Sequence, residues 1–96
     1  MAQPPRADVT QDELDALFEF LEIWPKTRDG RLTVEPIIKK RRSSRDYPGG
    51  VSDILRLRNV LGYQVATSHR ITDVGGSVRH HHGKDLLIGD VLLRPL

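Results

Sequence analysis

Hydrophobic positions change their spacing along this chain, and the changes mark out its predicted elements. Leu14, Leu17, Phe18 and Leu21 recur at helical spacing, with Phe20, Ile23 and Trp24 widening the stripe. Thr10 and Glu13 stand at the spacing of a capping box, and Val9 and Leu14 can staple the same helix end. Pro25 disfavours helical geometry at Trp24, so the first helix is predicted to stop there. A second helix is predicted from Thr33 as N-cap, with Pro36 in its first turn and Leu32 and Ile37 as staple. A third is predicted over Val51–Leu61. Steps of about 100° per residue gather Val51, Ile54, Leu57, Val60 and Leu61 on one side of it. Gly62 then fits a left-handed residue after the helix, with Tyr63 packing back on Leu57.

From Tyr63 the period becomes two. Tyr63, Val65, Thr67, His69 and Ile71 alternate with Gln64, Ala66, Ser68 and Arg70, as in a strand with two unlike faces. Asp73-Val74-Gly75-Gly76 is predicted as a hairpin tip, and the partner strand runs from Val78. The segment Leu86–Leu93 either extends that strand or folds at Gly89-Asp90 into another tight turn. Its six large aliphatics complete the core or form a dimer contact. Residues 1–8, with Pro4 and Pro5, read as a disordered leader, leaving 9–96 as a single domain. The predicted fold class is α+β: three helices followed by a β-hairpin, the outline of a winged helix-turn-helix.

Charge sharpens that picture. Residues 1–30 hold three basic and seven acidic side chains, and residues 31–96 hold twelve and six. An acidic start and a basic middle suit a polyanion bound through the middle. The absence of Cys removes disulfides and thiolate metal sites. No signal peptide or membrane-length apolar run stands out, so a cytoplasmic protein without a membrane partner is expected.

On the predicted third helix, Ser52, Leu55, Arg56 and Asn59 form a second stripe opposite the apolar one. Arg and Asn can bond base edges bidentately, Ser adapts, and an apolar group suits a thymine methyl, so these four are the candidate base readers. Lys39, Lys40, Arg41, Arg42 and Arg45, with Arg70 and Arg79 on the hairpin, are candidate phosphate contacts. Arg58 stands near the apolar edge, placed as well to pair with Asp46 or Asp53 as to touch phosphate. If the hairpin centres on Val74-Gly75, His69 faces His80, and His82 shares their face. Three imidazoles there match a borderline-metal ligand set, but no acidic or Cys companion stands at a firm spacing. A polar wing strand touching phosphate is preferred, so no metal and no cofactor are assigned. Catalysis lacks a motif. There is no nucleotide-binding Gly-rich loop, no Cys nucleophile and no Ser-His-Asp arrangement, and nothing fixes two groups as in a histidine ribonuclease. The expectation is a protein that is not an enzyme.

The run Leu57, Arg58, Leu61, Gly62, Tyr63, Val65 and Thr67 resembles the helix-to-wing junction of small winged helix-turn-helix proteins of bacteriophages and mobile elements. The resemblance covers about residues 32–82. It implies a transcriptional regulator that binds double-stranded DNA, with the third helix in the major groove and the wing along the backbone or minor groove. A two-fold dimer suits such a module. The alternative is an interaction module that docks on a host protein through its acidic first helix, with Phe20 and Trp24, or through its aliphatic C-terminus.

Overall fold

Alternation, rather than helical spacing, governs most of the chain in the computed structural model, which describes residues 5–96. The strands are β1 (Arg6–Val9), β2 (Thr33–Pro36), β3 (Arg42–Ser43), β4 (Val51–Arg58), β5 (Gln64–Thr72), β6 (Val78–Ile88) and β7 (Val91–Pro95). They build one sheet of seven strands in the order β1-β7-β6-β5-β4-β2, with β3 also on β4. Only β1 and β7 pair in parallel. Helices α1 (Gln11–Phe20) and α2 (Ile23–Asp29) cover one face. The three-helix winged helix-turn-helix is therefore wrong: the predicted second and third helices are strands.

The third helix fails for a readable reason. In β4, Asp53, Leu55 and Leu57 are buried and alternate with less covered Ser52, Ile54, Arg56 and Arg58. Apolar residues at 51, 54, 55 and 57 satisfy helical and strand periods alike over so short a run. Buried Asp53 decides the pattern and hides it, because a carboxylate on the core face does not look like a core position. Its partners are Arg41 at 2.7 Å and Arg70 at 3.6 Å. The predicted second helix is β2, a 3₁₀ turn at Ile38–Lys40, and β3. Gly62 does adopt the left-handed conformation (φ 86°), in the β4–β5 turn. There the Asn59 side-chain oxygen accepts from the amides of Leu61 and Tyr63.

The capping box at Thr10 and Glu13 is present as read, with both reciprocal bonds at 3.0 Å. The first helix ends at Phe20, short of Trp24, because Glu22 turns left-handed at φ 55°. Pro25 sits in the first turn of α2, where its missing N–H does no harm. Arg6–Asp8, read as part of a leader, belong to β1; residues 1–4 lie outside the described residues. Strands β5 and β6 lie close to their expected places, and Gly89-Asp90 forms the further tight turn, closing Ile88 on Val91. No described helix is long and apolar enough to cross a membrane.

The core is Leu14, Phe18, Ile23, Leu32, Leu57, Ala66 and Leu86, with Trp24 and Leu93 packed beside it. Its tightest point is Phe18 on β6: a Cβ built on Gly83 would stand 2.5 Å from the ring. Gly83→Ala is therefore expected to lower unfolding free energy by about 1–3 kcal/mol in a urea titration, as overpacked core positions do. A midpoint equal to the parent protein would show that α1 is free to shift off the sheet.

Candidate metal centre

The sheet face away from the helices is where the histidines meet. Alternation along β6 sends His80 and His82 to that face and His81 to the other. His82 lies directly opposite His69 on β5, and His80 lies opposite Ile71. The expected facing pair, His69 with His80, is thus displaced by two residues. The hairpin tip accounts for one: Asp73 and Ser77 close it over three residues, with Gly76 left-handed, so Thr72 meets Val78. A bulge between Ile71 and Thr72 adds the other. A slip of one would have sent the imidazoles to opposite faces, and two restore them.

One ligand nitrogen from each of His69, His80 and His82 can be chosen so that all three lie within 4.8 Å of one another. Their rings meet edge to face, with centroids 4.4 to 6.0 Å apart. Ser52, the neighbour on β4, places its hydroxyl 2.6 Å from Nε2 of His69. When that hydroxyl accepts from Nε2–H, Nδ1 of His69 keeps its lone pair free for a metal. Nδ1 of His82 is buried and has no hydrogen-bond partner among the described residues. Burial also holds His69 and His82 below the usual imidazole range, helped by the other histidines and Lys84, while Asp15 opposes the shift at His82. Both rings are consequently neutral at pH 7, the form that ligates metals.

Two clefts flank the trio. One, of about 380 Å³, adds Arg6, Asp8, Gln11, Lys84, Arg94 and Pro95 to His69 and His82. The other, of about 290 Å³, sets Asp46, Tyr47 and Arg79 around all three histidines. Each cleft thus brings one carboxylate, Asp8 or Asp46, to the neighbourhood that the sequence left without an acidic companion. His81 works on the opposite face: its ring lies 4.5 Å from Trp24 between centroids, and Nε2 is 3.0 Å from the Ser68 hydroxyl.

The residues proposed to read DNA are dispersed. Leu55 is completely buried, Ser52 serves His69, and Asn59 holds a turn. Arg56 pairs with Glu35 at 3.6 Å, and Arg58 with the same carboxylate at 3.3 Å rather than with Asp46 or Asp53. Among the expected phosphate contacts, Arg41 and Arg70 hold Asp53, and Arg42 donates to the carbonyls of Lys39 and Arg41. Arg79 pairs with Asp73 at 2.8 Å and stacks over Tyr47. Lys39, Lys40 and Arg45 are exposed and make no ion pair among the described residues. Sequence reasoning missed Ser52 as a neighbour of His69, and it missed Arg6, Asp8, Lys84 and Arg94 as one group. Alternation in β4 is the signal that would have found Ser52.

No protein-family model, curated protein or solved structure matches the chain.

The depressed histidines predict the pH response. The unfolded chain takes up protons near pH 6.5, whereas His69, His81 and His82 in the fold resist until lower pH. Between those values the unfolded state binds more protons, so stability rises with pH and levels off above about 6.5. Urea midpoints measured from pH 5 to 8 should trace that rise, and replacing the three rings by Gln should flatten it.

Proposed function

We propose that this domain binds one divalent ion of borderline softness, with zinc as the representative, through His69, His80 and His82. The observation that supports it is the convergence of three imidazoles from two paired strands to within 4.8 Å. Tetrahedral zinc, with Zn–N near 2.0–2.1 Å, sets its nitrogens about 3.4 Å apart. Closing the remaining gap takes ring rotation, because the cross-strand pairing already aligns the Cα atoms. The buried Nδ1 of His82 is a polar atom in want of a partner, and Ser52 supplies the outer bond that holds His69 in one tautomer. Three neutral ligands leave a fourth position for water, for Asp8 or Asp46, or for a bound molecule. A duplex-DNA reading rests on Lys39, Lys40 and Arg45, without the reading helix it was built on.

The test is calorimetric titration of zinc into metal-free protein at pH 7.5, with cobalt(II) absorption to report geometry. One ion per chain is expected, as an imidazole-only site suits zinc. His69→Ala and His82→Ala should each weaken binding by two orders of magnitude or more. Ser52→Ala should cost about 10-fold, as loss of an outer-shell partner does. Binding that survives the His69→Ala/His82→Ala double variant would falsify the assignment. Salt-sensitive duplex binding in the metal-free protein, unchanged in that variant, would return function to the basic segment.

A further inference from the structure

We infer that the cleft beside the histidines is a binding site for a phosphate group, as carried by a small phosphate monoester. Its wall carries Arg6, Lys84 and Arg94, from three different strands, against one carboxylate, Asp8, and is shared with His69 and His82. Arg6 and Asp8 alternate with Ala7 on β1, which puts both on the open face, and Arg94 lies opposite Asp8 on β7. Despite that placement, no carboxylate oxygen comes within ion-pair distance of Arg6, Lys84 or Arg94 among the described residues. The contrast with the arginines of β4, β5 and β6 is informative, since Arg56, Arg58, Arg70 and Arg79 all have acidic partners.

Lys84 stands at a defect in the sheet. Ser68 pairs with Gly83 and Thr67 with Asp85, so Lys84 is the extra residue of a bulge. Bulges re-aim a side chain and recur beside functional sites. Without it, strict alternation from His82 would put Lys84 on the face shared with His82 but leave Gly83 and Asp85 together on the helix side. The bulge leaves Gly83 under Phe18 and Lys84 in the cleft, while it turns Asp85 out to pair with Thr67 and Leu86 into the core. Two guanidinium groups and an ammonium around one hollow match the three terminal oxygens of a phosphate monoester, the guanidinium groups bidentately. A hollow of about 380 Å³ admits a phosphate with a small organic group, and it is concave where a duplex is convex.

This inference extends the metal reading without depending on it, because the cations belong to the protein. Metal-free protein at pH 7.5 and low salt would be titrated with inorganic phosphate, phenyl phosphate and a random 20-nucleotide single strand, following amide shifts by NMR. Expected are saturable shifts at Arg6–Asp8, His82–Lys84 and Arg94 with either small phosphate. Affinity should fall at least tenfold in Lys84→Gln and in Arg94→Gln, with the parent spectrum otherwise retained. His80→Ala, which removes a proposed metal ligand that does not line this cleft, should keep phosphate binding, so failure of the metal reading and of this one are separable. A site that responds only to the oligonucleotide, shifts that map elsewhere, or affinity unchanged in both cation variants would overturn it.

Discussion

Everything in this fold depends on how closely α1 can approach β6. Phe18 lies over Gly83 with no room for a side chain between them, and Leu14 and Leu86 fill in around that contact. A glycine inside a strand ordinarily weakens it, but here it marks the close approach of a ring from another layer. Once α1 sits there, one sheet face is committed to the apolar core. The imidazoles of His69, His80 and His82 face the other way. The histidine cluster is a consequence of that division of the sheet into a dry side and a wet one.

The two sides also differ in how they handle charge. On the helix-bearing face of the sheet, Asp53 is almost wholly buried, and Arg41 and Arg70 neutralise it. On the open side, cations stand around a hollow with one unpaired carboxylate. A buried carboxylate held by two guanidinium groups is structural, because without them it would be a charge with neither water nor partner. Cations kept in solvent and apart from carboxylates contribute little to folding. Their arrangement makes better sense as a reception for a ligand than as part of the scaffold.

Sequence reasoning reached the parts of this protein whose signals are local. The capping box at Thr10, the left-handed Gly62, the alternating strand before Asp73 and the turn at Gly89-Asp90 all depend on neighbours within a few residues. It failed where the decisive partner is distant. Strand β4 looked helical because Asp53 hides the core face, and the arginines that neutralise it are 12 and 17 residues away in sequence. Leu55, assigned to the outer stripe, is fully buried for the same reason. The histidines were placed on one face because face depends only on parity. Their register was missed because the three-residue tip and the bulge are not written in the residues a two-residue hairpin would need.

His81 gives the site an optical property. It stands between the two proposed ligands on β6 and lies against Trp24 on the far side of the sheet. Trp24 is the only tryptophan in the chain. Any ion or anion that draws His80 and His82 together strains the same three residues of backbone and moves the ring between them. Indole emission responds to such a change in its immediate neighbour. The protein therefore carries an intrinsic fluorophore behind its open face, coupled to that face through a single strand.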